Sequence, residues 1–538
     1  MPTSGNHRRA ARKALALVVV VVFLLLSLGQ HAAAQVISWI DQFGTPEFDM
    51  ARGVAVDGTG SVYVVGRTAG SLPGQTSSGG NDAFLRKYDP EGMEVWTHQF
   101  GTPDGDEAFG VVADGAGSVY VVGSTSGTLP GQTQSGSTDA FVRKYDAAGM
   151  ELWTRQFGST DGLLARGVAV DAAGNAYVVG WGVGALPGQT WSGNNDAFLR
   201  KYDPDGTAIW TRQFGTSGSD VTYGVAVDGP GYAHVAGDTN GVFPGQTSSG
   251  IGDAFLRKYD PDGTEVWTRQ FGTSAHDRAE AVLVDEVGTV YGVGYTDGTL
   301  SGQTSAGLRD AFIRKYDPAG SEVWTRQFGT SGPDEAIGAG MDASGSPYVA
   351  GGTDGSLSGQ TSAGGFDAFV RKYDGAGNAV WTHQFGGPNQ DVARTGPAVD
   401  AAGSLYVAGD TSGILPGQTP AGYIDAFVAK ISDNDGDGVN DTDEDNCGAD
   451  SLDPGSVPER LDGAFSGVSD DGDVDVDEAL PPGSETFDCD GDGWSGEDEE
   501  HVFSAAGTAN DQDPCGTNGW PPDIIDGVCY RTASTSRT

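Results

Sequence analysis

The chain has 538 residues, 87 of them Gly, and 30 Lys and Arg against 74 Asp and Glu, a formal net charge of −44. That field repels polyanions, so nucleic acid is excluded as a partner. So much Gly also excludes a long helical protein, because each costs ~1 kcal/mol inside a helix.

Residues 1–34 read as an export signal. Arg8, Arg9, Arg12 and Lys13 precede an apolar run from Ala14 to Leu28, and Ala32–Ala34 supply a small-residue cleavage pattern. The run is short of the ~20 residues that span a bilayer. The expected mature protein is therefore exported, secreted or held at the cell surface, and not integral to a membrane.

From residue 35 the chain repeats. Asp-Ala-Phe begins at Asp82, Asp139, Asp196, Asp253, Asp310, Asp367 and Asp425, in steps of 57 with one of 58. Gln-Phe-Gly recurs seven times every 57 residues, from Phe43 to Phe385, and the single extra residue falls between Asp391 and Asp400. Each unit holds four short β-branched or aromatic runs separated by Gly, Pro and Asp turns, a double-hairpin pattern. Seven such sheets predict an all-β, seven-bladed β-propeller over residues 35–431. The run 37–43 is a lone outer-type strand, and 425–431 lacks one. Residues 37–43 are therefore expected to complete the seventh blade and close the ring.

Gly-Val-Ala-Val-Asp, Val-Tyr-Val-Val-Gly, Asp-Ala-Phe-Leu-Arg-Lys-Tyr-Asp and Trp-Thr-x-Gln-Phe-Gly, in that order, resemble the bacterial β-propeller repeat called SBBP. The resemblance implies a secreted or cell-surface propeller and fixes no reaction. The stretches at 202–210 and 259–267 are also similar to the tryptophan-docking motif of quinoprotein propellers. The simpler reading is that each Trp packs between neighbouring blades.

Polar groups present in every blade are expected to be structural. The Asp of Asp-Ala-Phe and the acids at Asp49, Asp106, Asp220, Asp277, Asp334 and Asp391, a series broken by Leu163, should fix turns. Arg86-Lys87 and their copies should be solvated or paired between blades. A sevenfold-identical group makes a ring, whereas a catalytic site needs distinct roles. Function is thus expected where blades differ. The candidates are Trp181 and Trp191, read as lying in the long loop of blade three on a ligand-binding rim, and the polar stretches His276–Arg278 and Asp104–Glu107. No nucleophile–base motif is evident, so no catalytic residue is assigned.

After Ile431 the composition changes: 29 acidic residues against three basic ones in 432–538. Two segments there match Asp-x-Asp-x-Asp-Gly-x5-Glu. In the first, Asp433, Asp435 and Asp437 offer alternate carboxylates, Gly438 permits the turn, Val439 offers its carbonyl, Asp441 the ninth position and Glu444 both oxygens. In the second, Asp488, Asp490, Asp492, Trp494 and Glu499 take the same places, with Gly496 leaving the ninth to water. This is the spacing of calcium ligands. The segment Asp433–Cys447 resembles a thrombospondin type-3 calcium repeat. The four cysteines, Cys447, Cys489, Cys515 and Cys529, all lie in this region. In an exported protein they imply two disulfides, with all three pairings open. Region 432–538 is thus expected to be a small, acidic, loop-rich module organised by calcium and disulfides.

Together these features point to a monomeric, non-catalytic binding or structural protein outside the cytoplasm. Its partner would be an extracellular glycan or protein and its cofactor calcium. The alternative is an extracellular polysaccharide-acting propeller enzyme, a hydrolase or lyase, with a calcium-stabilised C-terminal module.

Overall fold

A computed structural model describes residues 36–432 and two short strands, Asp523–Ile525 and Val528–Tyr530. The calcium-ligand segments, Cys447, Cys489, Cys515 and the leader lie outside the described residues. Cys529 falls in the second short strand, opposite Ile524. Among the described residues no helix is long and apolar enough to cross a membrane.

Residues 35–433 form one compact unit, a ring of seven antiparallel sheets. Blade one is typical. Its strands, from the centre outward, are Asp49–Val56, Val62–Thr68, Asp82–Tyr88 and Glu94–Phe100. The two middle strands are almost wholly buried, whereas Glu94 and Val95 at the outer edge are exposed. That is why Val-Tyr-Val-Val reads as a continuous apolar run: both its faces meet neighbouring blades. The core is accordingly a set of layers between blades. One layer joins Tyr63, Val65 and Leu85 of blade one to Val119, Phe141 and Tyr145 of blade two.

Ring closure occurs as expected. Val36–Phe43 pairs antiparallel with Asp425–Ser432, from Val36 opposite Ser432 to Phe43 opposite Ala426. Gln42 then makes the contacts of its counterparts in other blades. Its Nε2 donates to the Gly413 carbonyl (2.9 Å) and the Asp425 carboxylate (2.8 Å), and its Oε1 accepts from Leu415 N (3.0 Å).

The outermost strands strap each blade to the next. Trp39, Trp153, Trp210, Trp267 and Trp324 donate their indole N–H to a turn carbonyl of the following blade, at 3.0 to 3.4 Å. Arg155 reaches the same turn through Gly206 O (2.8 Å). The packing role expected for these tryptophans is the one observed.

The 58-residue step has a local consequence and a local remedy. Blade seven's inner strand is split into Asp391–Ala393 and Ala398–Val399, and the extra length bulges toward blade six. There Gly338 and Gly340 face it. A Cβ on Gly338 would collide with the Gly396 backbone, and one on Gly340 with the Pro397 carbonyl. The position of Gly340 is Ala55, Val112, Ala169, Ala226 and Leu283 in the first five blades, so blade six loses side-chain volume where blade seven gains backbone.

A second irregularity concerns charge. In four blades a second-strand Tyr donates to the Asp of the inner turn: Tyr63 to Asp57 (2.9 Å), Tyr177 to Asp171 (3.2 Å), Tyr348 to Asp342 (3.0 Å) and Tyr406 to Asp400 (2.8 Å). Blade four has His234, its Nε2 3.5 Å from Asp228. Burial pushes the His234 imidazole below its ordinary 6.5, outweighing the pull of Asp228. The folded value is lower than the unfolded one, so the unfolded chain takes up the proton first and stability falls as pH drops below about 6.5. His234→Tyr should therefore stabilise the propeller by about 1 kcal/mol near neutrality. Its advantage in thermal unfolding should widen between pH 7 and pH 5.5; a constant gap across that range would contradict the assignment.

Candidate ligand site in the central channel

The polar groups common to every blade are engaged within the fold. In blade one Gln99 Nε2 donates to Asp82 (2.7 Å) and Gly70 O (2.8 Å), its Oε1 accepts from Leu72 N (2.9 Å), and its own N–H donates to Gln75 (3.1 Å). Asp82 also accepts from Ser78 N (2.8 Å). The inner-strand Asp49 accepts from Thr45 N (2.6 Å) and Thr45 Oγ1 (2.9 Å). Burial pushes the Asp49 carboxyl above its ordinary value despite these bonds. These carboxylates act as turn and inter-blade clamps.

One expectation holds in part and one needs correction. Arg86 and Lys87 take the inter-blade alternative, Arg86 lying 3.8 Å from Asp41 of blade seven, and are not free surface charges. The Arg86 guanidinium is buried, bonded through Nε to Thr97 Oγ1 (2.9 Å) and stacked 4.0 Å from the Phe43 ring centre. Lys87 Nζ lies 5.0 Å from the Tyr63 ring centre and donates to Ala147 O of blade two (3.2 Å). The apolar stems and flat guanidinium suit the inter-blade layer, and the charges are neutralised at its edge. Trp181 is likewise not in a loop. It sits in the second strand Ala176–Val183, opposite Leu164 and Ala197. Trp191 does lie in the long loop, 45% exposed, its indole N–H bound to Asn194 O of the same loop (3.0 Å). The two tryptophans therefore do not form a joint platform on the rim. The long loops and the loops after Gln-Phe-Gly do share one face, tied by Gly80 N to Pro103 O (3.1 Å) and Asp106 N to Asn81 O (2.7 Å).

The chemistry that differs between blades gathers elsewhere. Pairing of the first and second strands is interrupted in six blades, between Ala51 and Gly53, Ala108 and Gly110, Ala165 and Gly167, Thr222 and Gly224, Ala279 and Ala281, and Ala336 and Gly338. The single residue skipped each time is a β-bulge, a device that re-aims a side chain. The bulge residues are Arg52, Phe109, Arg166, Tyr223, Glu280 and Ile337, and Arg394 holds the equivalent place in the split strand of blade seven. All seven line one cavity of about 500 Å³, walled by the inner strands of every blade. This is the central channel.

Its arginines are mostly matched to acids. Arg52 bonds Glu107 (3.0 Å), which also meets Arg67 (3.2 Å). Arg278 meets Asp238 (3.2 Å) and Glu280 (3.3 Å). Arg309 bridges Asp297 (2.7 Å) and Glu335, and Arg394 bonds Asp410 (2.7 Å). Burial pushes the Glu280 and Asp238 carboxyls upward, with Arg278 pulling each back. Arg166 differs. Its guanidinium lies 4.4 Å from the Phe109 ring centre and 5.9 Å from that of Tyr223. The Tyr223 hydroxyl is held by Asp238 (2.9 Å).

This site is not evident in the sequence, because neither the repeated motifs nor the longest loops contain it. The signal was a column of unlike residues at the same 57-residue step, in the middle of the first strand of each blade. His276–Arg278 and Asp104–Glu107, singled out as loop motifs, contribute through their strand residues: Arg278 and Glu107 are both in the channel's ion-pair network.

The family model described as a beta-propeller repeat, SBBP, matches residues 38–73, 95–130, 152–185 and 209–244. The regulatory protein FlaEY of Caulobacter vibrioides is 29% identical over 410 residues, 67% of this chain and 42% of that protein. An uncharacterized WD repeat-containing protein of Acanthamoeba polyphaga mimivirus is 26% identical over 171 residues, 27% of this chain and 12% of that protein. The chain thus spans less than half the length of these curated relatives. Among solved structures, the WD40 domain of Neurospora crassa Pan2 is similar at 13% identity and a TM-score of 0.44, over 74% of this chain and 96% of that one. The extracellular domain of a hybrid two-component system from B. thetaiotaomicron is similar at 13% identity and a TM-score of 0.39, over 74% and 43%. Four stretches of the chain thus match the SBBP beta-propeller repeat, and its seven units close into a single seven-bladed ring.

Proposed function

We propose that this protein is a secreted or cell-surface binding scaffold without chemistry of its own, with a calcium-binding C-terminal region. The observation that carries the reading is the division of labour among polar residues. Those common to all blades are engaged in hydrogen bonds inside the ring, as the Gln99–Asp82 network shows for blade one. Selective recognition is then left to positions where blades differ, in the loop face with Trp191 and in the channel. The calcium assignment is supported by the two complete ligand spacings, from Asp433 to Glu444 and from Asp488 to Glu499. The partner class is an extracellular glycan or protein.

A binding screen of the full chain against glycans and cell-surface polymers, with calcium and with a chelator, tests both halves. We expect retention of at least one polymer without its breakdown, and calorimetric uptake of calcium at millimolar ion that is reduced by Asp437→Asn or Asp492→Asn. Hydrolysis or elimination of a bound polymer would overturn the non-catalytic reading in favour of an enzyme. Absence of calcium-dependent heat would overturn the metal assignment.

A further inference from the structure

The channel contains one arginine with no carboxylate in contact among the described residues. Arg52, Arg67, Arg278, Arg309 and Arg394 each have a carboxylate within ion-pair distance. Arg166 has none among the described residues, and its guanidinium donates no hydrogen bond to them. It is half-buried and held by the Phe109 and Tyr223 rings. Stacking of this kind fixes a guanidinium plane while leaving its N–H edge free, the arrangement that receives a carboxylate with two parallel bonds. Across the same cavity Arg166 helps hold the Glu280 carboxyl in its charged form without reaching ion-pair distance, so its N–H edge stays unpaired in a chain of net charge −44. The residues around it narrow the ligand. Glu280 and Glu335 line the same cavity, so a dianion such as a phosphate monoester would meet repulsion that a single carboxylate largely avoids. Only Phe109, Tyr223 and Ile337 among the bulge residues supply apolar surface. The remaining lining side chains include Arg52, Arg278, Glu280, Glu335 and Arg394, all charged. That lining suits a hydroxylated body better than a hydrocarbon one. A cavity of about 500 Å³ is within the usual range for small-molecule sites.

We propose that the central channel binds a uronate sugar, free or at the end of a glycan, through a bidentate contact of its carboxylate with Arg166 beside the Phe109 and Tyr223 rings. The proposal rests on the reading of the propeller as a binding scaffold but places the site in the channel instead of the outer loops.

Titration calorimetry of the full chain with glucuronate, galacturonate, glucose, galactose and acetate tests it. Both uronates, or one of them, should bind at millimolar concentration or tighter, with the matching neutral sugar and acetate each at least ~10-fold weaker. Arg166→Gln should weaken uronate binding by roughly 10- to 100-fold, the loss of a charge-assisted pair. Arg166→Lys keeps the charge without the planar fork and should fall between the two. It also serves should the Gln variant not fold, as judged by its unfolding transition. No uronate heat, equal binding of the neutral sugar or acetate, or parental affinity in Arg166→Gln and Arg166→Lys would each overturn the proposal. Retained binding in those variants together with its loss in Trp191→Ala would return the site to the loop face and leave the scaffold reading standing. Failure of every glycan in the wider screen would remove both.

Discussion

Deleting residues 36–43 should abolish the native ring. The segment provides the whole outermost strand of blade seven, and Gln42 alone bonds Gly413 O, Asp425 and Leu415 N. Its loss would leave the buried Asp425 without its amide partner and strip cover from Ile431, Val428 and Phe427. A buried acceptor left unpaired costs ~1–3 kcal/mol, and each uncovered large apolar side chain ~1.5–3 kcal/mol. Together these match much of the ~5–15 kcal/mol that typically separates native from unfolded chains. We expect unfolding, or a fall in melting temperature of at least ~10 °C. A permuted chain distinguishes a pairing effect from a general loss of sequence. Ile37 lies opposite Ile431 as Glu94 lies opposite Tyr88, so residues 44–431 followed by an Asp-Pro-Glu-Gly-Met turn and then 37–43 would give blade seven the connectivity of the other six. That chain should melt within a few degrees of an unpermuted 36–432. If the deletion melted like the parent, the closing strand would not be a structural necessity.

The second large effect concerns the blade that breaks the pattern. In six blades the inner-strand acid faces a Thr across the first strand pair, as Asp49 faces Thr68 and Asp277 faces Thr296. Thr239 donates to Asp220 at 2.5 Å, and Thr296 and Thr353 donate likewise to Asp277 and Asp334. Blade three has Leu163 opposite Gly182. Leu163 is buried, and a Cβ on Gly182 would lie 2.3 Å from the Gly162 carbonyl oxygen and 2.7 Å from Leu163 Cδ1. The polar pair has been exchanged for an apolar side chain and the space to hold it. Leu163→Asp alone should cost about 3–5 kcal/mol, from a buried carboxyl lacking its hydroxyl donor. Gly182→Thr alone should cost ~1–3 kcal/mol by overpacking. Made together they restore the polar pair and remove the contact with Leu163 Cδ1, leaving that with the Gly162 carbonyl, so denaturant unfolding should show a favourable coupling of roughly 1–3 kcal/mol within a still destabilised double variant. Strict additivity would mean that the two sites do not form a unit.

Much of the architecture was legible in the residues themselves. The spacing of Asp-Ala-Phe defines the blades, and the orphan run 37–43 defines how they close, because strand edges must be satisfied by some partner. The Trp contacts were legible too, since a large aromatic side chain with one polar atom needs both a layer to enter and a carbonyl to reach. What escaped was anything set by register. Arg52 and its six counterparts sit in runs that alternate like ordinary strands, and the bulge that turns them into the channel leaves no local mark beyond a following Gly in most blades. Trp181 escaped for the same reason: it occupies the column of Arg67 and Asp238, a strand column, although its neighbours Gly180 and Gly182 read as loop. Which of its two expected situations Arg86 takes was not legible because its partners, Thr97 and the Phe43 ring, come from another strand and another blade.

The closing strand also sets a schedule. Ser38 and Ser432, hydroxyl to hydroxyl in the finished ring, are made at opposite ends of the translation of this domain. The first strand to emerge has no permanent neighbour until the last one arrives, and the wait grows with every copy inserted between them. Through that interval it offers an open edge to any other extended segment nearby. A lineage that lengthened such an array would lengthen the exposure too, which favours delivery of the whole chain in an unfolded form before assembly begins.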